Sequence, residues 1–226
     1  MSPGKITLVV ADDHTIVRRG LVSLLSLNPE LEVVGEAADG RAAVDAAIQH
    51  EPDVVLLDIG MPVLNGLEAT RQIRKKVPHA RILILSAFDN DEYVIQVVRS
   101  GANGYMLKNT TADELYQAIK TVYNGRTYYS PSVSRVLFDE YLKNEGATSE
   151  STEAPLSLSP LTTREREILQ LIAEGETHTQ VAGQLHISVR TVDTHCNNIM
   201  KKLDIHDRSG LVTYAIKNGI VIIPRT

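Results

Sequence analysis

The sequence predicts an α/β fold, a five-stranded parallel sheet wound on both faces by helices, followed by a small all-α unit of four helices. Three observations predict it. Apolar β-rich runs alternate with helical patterns five times in the first 125 residues, a polar stretch then interrupts all periodicity, and the last 66 or so residues read as short, capped helices. Strict alternation of this kind places the strands in parallel, with helices covering both faces.

The expected strands are Ile6 to Ala11, Leu31 to Ala37, Val54 to Leu57, Arg81 to Leu85 and Gly104 to Leu107. Between and after them the helical patterns run from Thr15 to Leu27, Gly40 to His50, Leu67 to Lys76, Glu92 to Ser100 and Ala112 to Tyr123. The run Asp53-Val54-Val55-Leu56-Leu57 is apolar at consecutive positions, which fits a strand buried on both faces. Five such units suit the flavodoxin-like strand order 2-1-3-4-5, in which ligands bind beyond the carboxyl ends of strands 1 and 3.

Those strand ends carry the chemistry. Strand 1 ends in Asp12-Asp13, strand 3 in Asp58, strand 4 in Ser86 and strand 5 in Lys108. A lone strand-terminal aspartate is ordinarily a turn-former or helix cap, a lone lysine a solvated loop residue, and a lone serine a turn residue. Their coincidence at one edge argues for a site. Three converging carboxylates repel one another unless a cation sits among them, and an all-oxygen set suits Mg²⁺. Phosphoryl transfer follows: Asp58 as nucleophile, with Lys108 and the Ser86 hydroxyl serving the phosphoryl oxygens.

Composition excludes other classes. Hydrophobic residues make up 43% and charged residues 23%, values of an ordinary globular protein, and no apolar run reaches the roughly 18 residues a membrane span needs. A cytoplasmic protein is expected, and the single cysteine, Cys196, has no partner for an internal disulfide. Charge divides unevenly. Residues 1 to 155 hold 15 Lys+Arg against 21 Asp+Glu, whereas residues 156 to 226 hold 8 against 7 and four of the seven histidines, so the C-terminal part better tolerates a polyanion.

Asp12-Asp13, Asp58 with Met61-Pro62 and Gly66, Ser86-Ala87 and Lys108 resemble the receiver domain of two-component response regulators, and Gly-Tyr-Met-Leu-Lys ending at Lys108 resembles the NarL/FixJ subfamily. The resemblance implies that Asp58 accepts a phosphoryl group from a sensor histidine kinase. It also implies that Asp13, Asp58 and the Gly60 carbonyl hold Mg²⁺, Asp12 acting through water. Tyr105, a strand aromatic, would turn inward as Ser86 moves to the phosphoryl group. Gly60 and Phe88 would flank the path of attacking water. Asn109 stands where many receivers have proline. A phosphatase with an aspartyl nucleophile would share the Asp58 chemistry, but such hydrolases carry a second Asp two residues on, where this chain has Gly60.

Pro131 to Lys143 has the pattern of a short helix, and residues 144 to 155 that of a flexible tether. The expected division is therefore a receiver over 1–125, a linker over 126–157 and a helical domain over 158–226. In the last, Thr162-Thr163-Arg164-Glu165 has capping-box form, and two helices separated by a His186-Ile187 turn suggest helix-turn-helix. Val189, Val192, Cys196, Ile199 and Leu203 form a core stripe on the second of these helices. Arg190, Asp193, Thr194, Asn197 and Lys201 share another face, suited to a major groove.

The runs Leu161 to Leu169, Ile172 to Gly175, Ser188 to His195 and Ile199 to Leu203 resemble the LuxR-type DNA-binding domain. That resemblance adds Thr191, His195 and Lys202 to the expected DNA contacts and implies dimeric binding to a double-stranded operator with two half-sites. Asp193 and Cys196 stand where relatives commonly carry Lys and Arg, and Thr179-Gln180 replaces a usual Lys-Glu pair. Asp193 either accepts from a cytosine amine or repels the backbone. The expected function is a phosphorylation-dependent transcriptional regulator, not an enzyme beyond self-phosphorylation and slow autodephosphorylation, with a histidine kinase, operator DNA and a second copy as partners.

Overall fold

The computed structural model describes residues 4–87, 91–130, 133–135 and 160–221. Phe88, most of the expected 131–143 helix and the 144–155 tether lie outside the described residues. The chain divides into two compact units, Met1–Glu150 and Ser151–Thr226.

The first unit is a parallel sheet in the order β2-β1-β3-β4-β5-β6. Its strands are β1 Ile6–Ala11, β2 Leu31–Ala37, β3 Val54–Asp58, β4 Arg81–Ser86, β5 Gly104–Leu107 and β6 Tyr128–Tyr129. The helices are α1 Thr15–Ser26, α2 Gly40–His50, α3 Gly66–Lys76, α4 Asp91–Ser100 and α5 Ala112–Tyr123. The expected 2-1-3-4-5 order is present, and β6 extends it. Two residues are too short to show a period, so this strand falls in a stretch that the sequence reads as linker.

Every residue of β3 is buried, as the unbroken apolar run requires. One face of the sheet presents Leu8, Val10, Val54, Leu56, Leu83 and Leu85 to Leu25 of α1 and to Leu115, Ala118, Ile119 and Val122 of α5. Fully burying each large aliphatic side chain contributes about 1.5–3 kcal/mol. Two close approaches fix the loops at the sheet's carboxyl edge. A Cβ on Gly66 would lie 2.2 Å from the Asp58 carbonyl oxygen, and one on Gly40 would lie 1.9 Å from that of Leu64. Only glycine lets α3 begin against the backbone of Asp58.

The second unit contains α6 Thr163–Ala173, α7 His178–Gln184, α8 Val189–Leu203 and α9 Arg208–Lys217. Each begins with a side-chain cap: Thr162 and Thr177 in capping boxes with Glu165 and Gln180, Ser188 on the Thr191 amide and Asp207 on that of Gly210. These caps place four starts in a short sequence, each stabilised by about 1 kcal/mol. The core joins Ile168, Leu169 and Ile172 of α6 to Val181, Val192, Cys196, Ile199 and Leu211. Val189 departs from the expected stripe: it is 40% exposed, because as the first residue of α8 it projects beyond the packed turn.

Candidate phosphoacceptor site and DNA-reading helix

The acids predicted from strand ends converge. Asp12, at the end of β1, and Asp58, at the end of β3, are both buried, and Lys108 after β5 reaches across to them. Its Nζ lies 2.7 Å from Asp12 Oδ2 and 3.0 Å from Asp58 Oδ1. Lys108 is aimed by its backbone, since its N–H donates to the Ser86 carbonyl at 2.8 Å and thereby extends the β4–β5 ladder. Ser86 is fully buried at the end of β4, and Tyr105, two residues into β5, is buried within the sheet.

Electrostatics in this pocket oppose one another. Burial raises the Asp58 carboxyl above its ordinary value, Lys108 pulls it back, and the charge of Asp12 pushes it up again, leaving it net raised. Burial depresses the Lys108 ammonium, but its contacts with Asp12 and Asp58 outweigh that and raise it. The pocket is short of positive charge for the acids it holds.

One residue with an atom close to the acid cluster escaped the sequence reading. Asp12, Asp13, His14 and Asp58 each offer an atom within 4.8 Å of the others. His14 Nδ1 lies 2.8 Å from Asp13 Oδ1, while the His14 N–H donates to Asp12 Oδ1 at 2.9 Å. His14 is the N-cap of α1 yet makes no side-chain cap bond. An imidazole directly after the acid pair is the signal that could have found it. The oxygen-rich set of Asp12, Asp13 and Asp58 fits a hard divalent cation. Gly60, expected to contribute its carbonyl, is partly buried in the loop after β3.

On α8, Arg190, Asp193, Thr194, Asn197, Lys201 and Lys202 are exposed, while Thr191 and His195 are half-buried. Several are engaged within the unit. The Thr191 N–H donates to Ser188 Oγ, Thr194 Oγ1 donates to the Arg190 carbonyl, and Lys202 Nζ lies 2.7 Å from Glu165 Oε2. Asp193 Oδ1 lies 2.6 Å from His178 Nδ1 on α7, a partner that its sequence position did not suggest. Arg190 and Lys201 remain as outward cations on this helix.

An acid pocket at the switch point of a parallel sheet, joined in one chain to a helix-turn-helix unit, defines a class of signal-receiving DNA-binding proteins. Residues 8–120 match the response regulator receiver domain, and residues 159–215 match the bacterial regulatory proteins of the luxR family. The chain belongs to the two-component response regulators that carry a LuxR-type helix-turn-helix. It is 41% identical to the oxygen regulatory protein NreC of Staphylococcus carnosus, over 95% of this chain and 98% of that protein. It is 40% identical to the transcriptional regulatory protein DegU of Brevibacillus brevis, over 98% of this chain and 97% of that one.

Among solved structures, the response regulator ChrA of a heme-sensing two-component system is 31% identical, with 97% of this chain and 100% of that chain covered at a TM-score of 0.52. The RcsB–DNA complex is 25% identical, covering 95% and 99%, with a TM-score of 0.57. The family is one of transcription regulators, and receiver domains generally hold Mg²⁺ in an acidic pocket such as this one. Among the described residues, no helix is long and apolar enough to cross a membrane.

Proposed function

We propose that Asp58 is the phosphoacceptor and that its modification controls DNA binding by the helix-turn-helix unit. The observation that carries this reading is the bridge from Lys108 Nζ to both Asp12 and Asp58, at 2.7 and 3.0 Å, beside the buried Ser86. An Asp58 oxygen attacks the phosphorus of a phosphohistidine on a sensor histidine kinase. The P–N bond breaks, and the imidazole nitrogen leaves with its electron pair and takes up a proton. Lys108 neutralises a phosphoryl oxygen and Ser86 donates to another.

Asp13, Asp58 and the Gly60 carbonyl would hold Mg²⁺, with Asp12 acting through water. When bound, the ion would supply charge neutralisation for the incoming phosphoryl oxygens. Tyr105 is already fully buried, so movement of Ser86 toward the phosphoryl group would repack the sheet around an inward ring, a change that biases a two-state surface around β5. Self-phosphorylation from a small donor and slow loss of the phosphoryl group are the only catalysis expected.

The receiver occupies residues 1–125, the linker 126–157 and the DNA-binding domain 158–226, in a cytoplasmic protein. In the DNA-binding domain, Arg190, Thr191, Asp193, Thr194, His195, Asn197, Lys201 and Lys202 face a double-stranded operator. Binding by a homodimer is supported by the solved assembly of two RcsB dimers on two parallel DNAs, which this chain resembles at 25% identity. Treating the wild type and Asp58→Asn with Mg²⁺ and acetyl phosphate tests the reading. Only the wild type is expected to gain one phosphoryl group, dimerise and bind DNA from its own promoter region roughly tenfold more tightly, a coupling within the usual range for a two-state switch. An equal response from both removes Asp58 as the switch.

A further inference from the structure

His178 joins the buried core of the helical unit to its DNA-facing surface. It opens α7, and its ring lies between two residues of α8 that are three apart. Nδ1 is 2.6 Å from Asp193 Oδ1, and Nε2 is 3.7 Å from Cys196 Sγ. A carboxylate only accepts, so Nδ1 carries the proton that forms this bond. Burial pushes the Cys196 thiol up to about 11, helped by the charge of Asp193, so the S–H is retained at neutral pH and is available to Nε2. Cys196 is 5% exposed, whereas the side chains of His178 and Asp193 are 43% and 53% exposed. The relay therefore runs from core thiol to imidazole to surface carboxylate.

We infer that His178 is a positioning residue for operator recognition, holding Asp193 by Oδ1 so that Oδ2 is offered to a base carrying an exocyclic amine, cytosine N4 or adenine N6. This rests on the reading of α8 as the DNA-contacting helix. Oδ2 takes part in no bond among the described residues, and it can only accept. Guanine and thymine present acceptors in the major groove, O6 with N7 and O4, and would face it oxygen to oxygen. An untethered aspartate on a helix approaching phosphates would swing away or repel them. Tethered to an imidazole N–H, it keeps one orientation, and its charge is partly offset where the polyanion approaches. On the same face, Arg190 is a donor and Asn197 is both donor and acceptor, so the helix carries a mixed pattern and not a purely cationic one.

The test is selection from randomised duplex DNA by the full chain treated with Mg²⁺ and acetyl phosphate, comparing wild type, His178→Ala and Asp193→Asn. The wild type is expected to enrich cytosine or adenine over guanine and thymine by roughly fivefold or more at one position of each half-site. The sequence recovered states which of the two amines is taken. In Asp193→Asn the oxygen is still held by Nδ1–H and an amide NH₂ now faces the groove, so preference at that position swings to guanine or thymine. In His178→Ala the preference at that position relaxes, while the other positions and the melting temperature of the helical unit stay as in the wild type. A merely structural role would weaken all positions together. Unchanged preference in Asp193→Asn overturns the inference, even if His178→Ala fails to fold. No enrichment by any of the three proteins overturns the DNA-binding reading and the inference with it.

Discussion

Val63 sits in the loop between β3 and α3 with a φ of 65°, a left-handed backbone that a β-branched residue adopts only under strain. The loop holds this shape because Met61 and Leu64 on either side are buried and the Gly66 N–H donates to the Ile59 carbonyl at 3.0 Å. Val63 is itself only partly buried, so little packing opposes relief of the strain. Val63→Asn is expected to raise stability by about 0.5–1 kcal/mol, read from the urea midpoint, and a clear loss of stability would refute the strain. At the same scale, the acid pocket was legible because Asp12, Asp13, Asp58, Ser86 and Lys108 all follow apolar strands, and topology brings strand ends together whatever their spacing in sequence. His14 was not, because a residue opening a helix reads as a cap. Its imidazole turns instead to Asp13, a contact set by how the loop after β1 folds.

Helix α6 is fixed at its start by one carboxylate doing three things. Glu165 accepts from the Thr162 N–H at 2.7 Å and from its hydroxyl at 2.9 Å, and pairs with Lys202 of α8 at 2.7 Å. Burial pushes the Glu165 carboxyl up, but Lys202 and Thr162 outweigh it and hold the group below its ordinary value of 4.5. A carboxylate lowered in the folded state stabilises that state fully above the unfolded value. The contribution fades as pH falls through the still lower folded value. Glu165→Gln is therefore expected to cost roughly 1–3 kcal/mol at pH 7 and progressively less below about pH 4.5. Hydrogen exchange of α6 amides in the full chain reads the difference, and an equal penalty at pH 3 and pH 7 would contradict it. The capping box itself was legible as Thr162 with Glu165. The clasp to Lys202 and the His178–Asp193 bond were not, since both join residues on different helices and depend on how those helices cross.

Taken whole, the chain is acidic, with a formal net charge of −5, and α8 carries few outward cations, Arg190 and Lys201 chief among them. Each phosphate contact contributes roughly −0.9 to the slope of log affinity against log salt. Lys201→Ala is expected to lower that slope by about 1 per protomer and to weaken binding to all sequences alike. A change in base preference instead would make Lys201 a reader of sequence. The fold as a whole was legible to within a residue or two at most boundaries, because long periodic runs settle their own type, whereas β6 has only two residues and no period of its own. Its consequence is practical. Tyr128 and Tyr129 lie alongside Gly104 and Tyr105 in parallel register, and Val133 beyond them is 1% exposed. A fragment ending at residue 125 would leave the β5 backbone open to pairing with neighbouring molecules. One ending at residue 135 keeps that border closed, so light scattering should find the shorter piece aggregating and the longer one monodisperse.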